Sequence, residues 1–152
     1  MATLTTTITE ALTLNGKDRG STNTLTVTGI NDVYHRIITC PDDVPVTVAT
    51  FHANVGTSDA SLDIELVKYI RITNLDGANP VIIDLQIDPA ENDSAASDNA
   101  ALLLEAGKSF IMGTPSDGIV VNSQGAAPIT ATSSLVNLES IIIDPLSEAV
   151  KV

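Results

Sequence analysis

The sequence contains few of the residues on which most catalytic and ligand-binding sites depend. Its 152 residues include no Trp, two Tyr, two Phe, two His and one Cys. A single cysteine excludes an intramolecular disulfide and any metal site built from several cysteines. The scarcity of aromatic rings argues against a carbohydrate-binding or hydrolytic jelly-roll domain, because such domains hold sugars against aromatic side chains. The hydrophobic core must therefore be mainly aliphatic.

Positive charge is also scarce. Seven Lys and Arg residues stand against 19 Asp and Glu residues, which gives a formal net charge of −12. The field of such a chain repels phosphate backbones and anionic lipid headgroups. Residues 1–11 lack the basic and apolar regions of a signal peptide, and no apolar stretch approaches the roughly 20 residues of a membrane-spanning helix. We therefore expect neither nucleic acid nor a membrane as a partner.

The residues that are abundant favour strands. Ile, Val and Thr recur throughout the chain, and β-branched side chains pack well on a pleated sheet. Alternation of apolar and polar residues predicts strands at residues 3–14, 24–30, 33–40, 45–51, 118–122, 128–132, 138–144 and 149–152. Short strands separated by Gly, Pro, Asn and Ser turns, without long helices between them, are typical of antiparallel sandwiches. The prediction is an all-β fold, a single antiparallel β-sandwich of jelly-roll type over residues 1–152.

Residues 67–88, "VKYIRITNLDGANPVIIDLQID", give the clearest prediction of a hairpin. The arms 67–73 and 81–88 flank a turn in which Asp76-Gly77 tolerates positive φ and Pro80 marks the return. The second arm alternates, so one face is predicted to line the core and the other to face water. The first arm carries apolar residues on both faces, and we therefore expect it to pack within the subunit or against another copy.

Two other segments leave alternatives open. Residues 101–113 predict a strand, a turn at Gly107-Lys108 and a second strand, with a helix ending at Gly107 as the alternative. Residues 53–66 predict a loop with a short element, either a capped helix or a strand. The acidic residues 88–100 predict a surface loop, with a structural Ca²⁺ site at 88–98 as the alternative, although the spacing does not match an EF-hand.

No residue set indicates catalysis. His35 and Cys40 have opposite parity in the predicted strand 33–40, so they should face opposite sides of the sheet. A pairing of Cys40 with His52 would need a distant contact, and a buried structural cysteine is the simpler interpretation. We predict that the chain is not an enzyme and that it has no catalytic, cofactor-binding or metal-binding residues.

The paired carboxylates have a similarly simple interpretation. The candidate pairs are Asp42 with Asp43, Asp84 with Asp88, and Glu91 with Asp93. Glycoside hydrolysis needs two carboxyl groups on either side of a cleft, and the chain has few aromatic residues to line one. These carboxylates are interpreted as solvated strand faces and loops.

Threonine is concentrated in residues 3–28, which suggests a hydroxyl ladder of the kind that binds ice. Such surfaces need a fixed short repeat, and the linear sequence shows none. The threonines are therefore interpreted as strand positions at which one face meets water.

The sequence as a whole resembles a known class of protein. The segments that carry the resemblance are "ITEALTLNGKDRGSTNT", "VYHRIITCP", "VKYIRITNLD", "LLLEAGKSFIMGTPSDG" and "LESIIIDP". Together, and in this order along the chain, they are similar to small virion structural proteins of marine tailed bacteriophages, particularly those that infect cyanobacteria. The resemblance implies a β-rich structural protein assembled into a particle, and it transfers no catalytic role.

The net charge narrows the expected position in that particle. A protein that faces packaged DNA is normally basic, whereas a charge of −12 suits the capsid exterior. We expect a capsid decoration, or cement, protein whose partners are the major capsid protein and copies of itself, as a homotrimer. The alternative is a tail component or fibre knob involved in host attachment, although no heptad or repetitive β shaft is present.

Overall fold

The computed structural model describes residues 1–52, 61–63, 66–87, 98–113 and 138–152. The regular elements in these ranges are all strands, which confirms the all-β prediction, and none of the described residues forms a helix that could cross a membrane. The strands are β1 (Ala2–Glu10), β2 (Thr13–Leu14), β3 (Lys17–Asp18), β4 (Ser21–Ile30), β5 (Thr39–Cys40), β6 (Val46–His52), β7 (Ser61–Asp63), β8 (Tyr69–Thr73), β9 (Val81–Ile87), β10 (Asp98–Leu104), β11 (Ser109–Gly113), β12 (Leu138–Asp144) and β13 (Val150–Lys151).

The largest sheet has five strands in the order β10-β9-β12-β6-β7. Neighbouring strands are antiparallel except for β6 and β7, which run parallel and align Thr50 with Ser61. The prediction of antiparallel pairing is therefore wrong at this one edge. The alternating segments predicted at 45–51 and 138–144 form β6 and the central strand β12, as expected from their apolar pattern.

The alternation of β9 determines which of its faces lines the core. The buried side chains are Val81, Ile83, Leu85 and Ile87, whereas the side chains between them are half-buried. The predicted core face is therefore confirmed. The opposite face of β9 is less exposed to solvent than predicted. There the hydroxyl of Ser140, a buried residue of β12, donates to Oε1 of Gln86 at 2.7 Å.

The predicted hairpin at residues 67–88 is wrong in its pairing. Both arms are strands, but β8 pairs with β11, and β9 pairs with β10 and β12. Residues 101–113 contain two strands and not a helix, as preferred, yet β10 and β11 do not pair with each other. The consecutive strands β8-β9 run antiparallel to β10-β11 as one bent pair of strands, which passes from the small sheet to the large sheet.

The bend is built around the buried side chain of Asn74, which follows β8 directly. Its Nδ2 donates to the carbonyl oxygens of Asn79 at 2.9 Å and Leu104 at 3.2 Å. Its Oδ1 accepts from the Asp76 backbone amide at 3.0 Å. The backbone amide of Asn74 donates to the Lys108 carbonyl at 2.9 Å. Asn74 thereby joins the two connections at which the chain changes sheets, and it leaves no polar side-chain atom unpaired.

The turn after Asn74 differs from the predicted one. Neither Asp76 nor Gly77 has positive φ. The Asp76 carboxylate instead accepts from the amides of Ala78 and Asn79, both at 2.8 Å, which is the local bonding that short acidic side chains provide in turns.

Three sheets contribute to one apolar core. The buried side chains of the large sheet are joined by Cys40 and Val150, from the two-stranded sheet of β5 and β13. Side chains from β8 and β11 pack against this cluster, namely Ile70, Ile72, Phe110 and Met112. An apolar side chain that is fully buried contributes about 1.5–3 kcal/mol, so these contacts hold the sheets together.

The strand predicted at 33–40 is wrong for most of its length. Only Thr39 and Cys40 form a strand, and Val33 and Ile37 are 73% and 66% exposed. Ile38 and Val152 exchange two backbone hydrogen bonds at 2.8 and 3.0 Å. The strand β5 therefore begins only where the chain reaches its partner, the C-terminal strand β13. The predicted strands at 118–122 and 128–132 lie outside the described residues, as do residues 88–97 of the predicted acidic loop and most of 53–66. The loop prediction is wrong at residues 98–100, which begin β10 and pair with β9.

Replacement of Asn74 by Ala should destabilise the protein by about 2–3 kcal/mol, because it removes the side-chain donor to the Asn79 and Leu104 carbonyl oxygens and the acceptor for the Asp76 amide. Urea unfolding followed by circular dichroism measures the change. Asn31→Ala is the matched control: Asn31 is exposed, and a change within about 0.5 kcal/mol is expected there. Equal midpoints for the two variants would contradict the role of the Asn74 amide.

The carboxylate of Asp76 should make stability depend on pH. The amides of Asn79 and Ala78 donate to it and lower its pKa below the ordinary value of 3.8. A lowered pKa in the folded state gives stability that is present above the unfolded pKa and is lost as the pH falls through the folded pKa. The stability difference between the native protein and Asp76→Asn should therefore shrink as the pH falls from about 6 to about 2. A difference that is constant over this range would show that the charge of Asp76 contributes nothing.

Candidate interaction surface

Residues 1–30 form a long β-ribbon, in which β1 and β4 pair antiparallel from Ala2↔Ile30 to Glu10↔Ser21. The short strands β2 and β3 continue it to a turn at Asn15-Gly16, where φ is 52° and 74°. Positive φ at both positions matches the right-handed twist of the flanking strands, and Asn-Gly is the dipeptide that adopts it most readily. The Asn15-Gly16 turn is therefore the end of one hairpin, which contains the strands predicted at residues 3–14 and 24–30.

One face of the long ribbon consists of threonine. The register places Thr5, Thr7 and Thr9 of β1 directly opposite Thr26, Thr24 and Thr22 of β4, and all six are exposed. The hydroxyl oxygens of Thr7 and Thr24 are 3.4 Å apart. Each segment already has threonine at every second residue, contrary to the interpretation that the sequence shows no short repeat, and strand pairing aligns the two rows. The interpretation of these threonines as a water-facing surface agrees with their exposure.

The opposite face packs on the rest of the protein only near its base, within the described residues. Val27 is 0% exposed, and Leu4 and Leu25 are half-buried. A Cβ on Gly113 would lie 3.4 Å from Leu25 Cδ2, and Lys68 Nζ donates to the Thr28 carbonyl at 3.4 Å. The base of the long ribbon is thus fixed against the end of the β8–β11 sheet.

Towards its turn, the long ribbon has exposed apolar side chains. Ile8, Leu12 and Leu14 are 51%, 54% and 56% exposed. The two sides of the ribbon approach closely at Gly20, just before β4, where a Cβ would clash with the carbonyl oxygen of Glu10. A larger residue at this position would push the two sides apart. This distal half is consequently a defined surface that no other described part of the chain covers.

The long ribbon also differs from the remainder of the chain in charge. Residues 1–30 contain Glu10, Lys17, Asp18 and Arg19, which sum to zero, so the net charge of −12 belongs entirely to residues 31–152. Neither β1 nor β4 contains proline, and Glu10 is the one charged residue in the two strands. The candidate interaction surface is therefore apolar and rich in hydroxyl groups, with almost no charge.

The residues considered for catalysis lie in different elements of the described chain. Cys40 is 0% exposed, and burial raises the pKa of its thiol. His35 lies in the exposed segment before β5, so the question of strand parity does not arise. His52 ends β6, and the placement of its side chain lies outside the described residues. A raised pKa leaves little reactive thiolate at neutral pH.

The carboxylates are similarly dispersed. Asp42 and Asp43 lie exposed in the turn between β5 and β6. Oδ2 of Asp84 accepts from Asn99 at 3.3 Å, while its Oδ1 is buried without a hydrogen-bond partner. The proposed partner of Asp84, Asp88, lies outside the described residues, as do Glu91 and Asp93. In the described part of the chain, no three His, Cys, Asp or Glu residues form a group that could hold a metal ion.

The segment expected to contact another copy, residues 67–73, is covered on one side. Ile70 and Ile72 pack against the core, whereas Arg71 is exposed and lies opposite Ile111, which is 37% exposed. The long ribbon is the larger exposed surface. Its Asn15-Gly16 turn and the threonine pattern of both strands are visible in the sequence, but its separation from the core is not.

Comparison with known proteins finds no family model, no curated protein and no solved structure that matches the chain. The proposal for function therefore rests on the geometry of the described residues together with the resemblance described above.

Cys40 should be unreactive in the folded protein, because its thiol is buried and its pKa is raised. A disulfide reagent such as dithiobis(nitrobenzoate) should label less than about a tenth of the folded protein in the time that fully labels the chain in guanidinium. Equal rates in the two conditions would show that the thiol is accessible and would reopen a chemical role for it.

Proposed function

We propose that the chain is a non-enzymatic virion structural protein, a capsid decoration protein that stabilises the outer shell. The observation that carries the proposal is the long ribbon, an exposed arm with no net charge on an otherwise acidic protein. Subunits that hold a shell together need surfaces that pack against neighbours, and they need no reactive groups. The resemblance to small phage virion proteins supports the same class.

The acidic remainder of the chain supports a position on the outside of the shell. With −12 on residues 31–152, the protein repels packaged DNA and gains nothing from counterion release. The proposed partners are the major capsid protein and two further copies of the chain in a homotrimer. Neither nucleic acid nor a membrane is a proposed partner. Symmetric repetition on the shell adds avidity to each contact without new chemistry.

We further propose that the described sheets belong to one β-sandwich of jelly-roll type that spans residues 1–152. The bent strand pair β8-β9 and β10-β11 supports this arrangement, because sheets that pack face to face are joined at corners by strands that change sheets. Ile70, Ile72 and Phe110 of the small sheet pack against the core cluster of the large sheet, as two facing layers would.

Cryo-electron microscopy of virions that contain this chain is the direct test. Density for the all-β subunit is expected on the outer capsid surface at three-fold related positions, in contact with the major capsid protein. Density in the tail would favour the alternative of a tail or fibre-knob component. Absence of the chain from purified virions would overturn both.

A stability measurement tests the stabilising role independently. Capsids with the protein bound should release DNA at a higher temperature than capsids without it, because a subunit that binds the intact shell stabilises it by mass action. Bovine serum albumin at the same concentration serves as a control for nonspecific protection. An unchanged release temperature at saturating protein would contradict a cement function.

A further inference from the structure

The long ribbon leaves both of its outer edges unpaired in the described chain. β1 pairs with β4 alone, and no other described strand is hydrogen-bonded to either. β4 offers ten residues without a charge or a proline, and β1 offers nine with a single charge, Glu10. Folded proteins normally protect such edges with lysines, prolines, bulges or a covering element, because open edges add further strands.

Part of the edge is protected at the base of the ribbon. The Thr28 carbonyl accepts from Lys68 Nζ, and a register shift between Ala2 and Leu4 interrupts the ladder of β1. The distal residues Thr22–Thr26 and Thr5–Thr9 have neither device. The open edges are thus confined to the half of the ribbon that projects past the sheets.

The distribution of charge indicates which partner fits these edges. Residues 31–152 carry −12 and the ribbon carries zero, so the net electrostatic repulsion between two copies is smallest when they meet through their ribbons. A basic partner would be drawn to the acidic part of the chain and not to the neutral part. A second copy of the chain carries the same negative charge, so it approaches with the least repulsion through a surface without net charge. The ribbon is such a surface.

Exposed apolar side chains lie beside the open edges. Ile8, Leu12 and Leu14 are each about half exposed, and they continue the apolar character of the base, where Val27 is fully buried. Strand addition would cover part of this surface together with the unpaired backbone groups. The threonine rows would continue across the junction, where Thr–Thr pairs stabilise neighbouring strands.

We propose that the long ribbons of neighbouring copies pair edge to edge, with the distal half of β4 in one copy against the distal half of β1 in the next. A head-to-tail junction is favoured over a β4–β4 junction because the latter leaves both β1 edges open. The inference rests on the self-association in the proposed function. In the proposed homotrimer, three ribbons close a ring in which no distal edge is free.

Lysines on either edge should break the junction. The test variants are Thr22→Lys with Thr24→Lys on β4, and Thr7→Lys with Thr9→Lys on β1. All four threonines are exposed, and the two variants place their lysines opposite threonines and not opposite each other. Lysines on an edge strand block strand addition through their charge and bulk.

The control variant carries Ser147→Lys with Ala149→Lys, which adds the same charge at exposed positions away from the ribbon. Sedimentation velocity at micromolar concentration measures association, and far-UV circular dichroism checks that each variant is folded. The native chain and the control should sediment as oligomers. Each ribbon variant should be folded and should associate at least about tenfold more weakly than the native chain, which corresponds to at least about 1.4 kcal/mol per junction.

The remaining outcomes each overturn the inference. A native chain that is monomeric up to about 100 μM, where even weak strand addition would be seen, has no such junction. Folded ribbon variants that remain oligomeric place the interface elsewhere. Dissociation by the β4 variant alone indicates a β4–β4 junction and excludes the head-to-tail form. These measurements need no virion. The proposal of a capsid location and the proposal of a ribbon junction can therefore be contradicted independently of each other.

Discussion

The buried amide of Asn74 is the interaction on which the described fold depends. The chain changes sheets twice, at residues 74–80 and at residues 105–108, and Asn74 hydrogen-bonds to both connections. A buried polar side chain is tolerated only when its hydrogen bonds are satisfied, and the two connections supply the partners. The position of β8 and β11 over the core therefore depends on the side chain and backbone amide of Asn74 as well as on apolar burial.

The sequence predicts the faces of the strands better than their partners. Alternation identified the core face of β9, since it depends on neighbours one and two residues away. In β12 the buried residues do not alternate strictly, and no face was predicted there. The hairpin at residues 67–88 was wrong because turn-forming residues between two strands do not specify that the strands pair. Asn74 stabilises the bend through hydrogen bonds to the carbonyl oxygens of Leu104 and Lys108. These partners lie about 30 residues further along the chain, so no local sequence pattern indicates them.

The interaction surface could be predicted in part. The Asn15-Gly16 turn and the neutral charge of residues 1–30 are both legible in the sequence. Two properties could not be predicted from a linear pattern. The first is the alignment of threonines from β1 with those from β4, and the second is that the ribbon packs on the β8–β11 sheet only at its base, near Leu25. Both depend on register and on the position of the neighbouring sheet. The expectation that residues 67–73 pack within the subunit or against another copy is confirmed for the first alternative by Ile70 and Ile72, and the second stays a prediction.

The place of β12 in the large sheet has a consequence for biosynthesis. β12 lies between β6 and β9, so the sheet lacks its central strand until residues 138–144 have left the ribosome. The long ribbon needs only residues 1–30, and such local hairpins form within microseconds. During translation, the arm is therefore complete long before the core, and its uncharged edges are exposed next to nascent chains on the same polysome. Assembly between copies can begin before each subunit has finished folding, and so can misassembly.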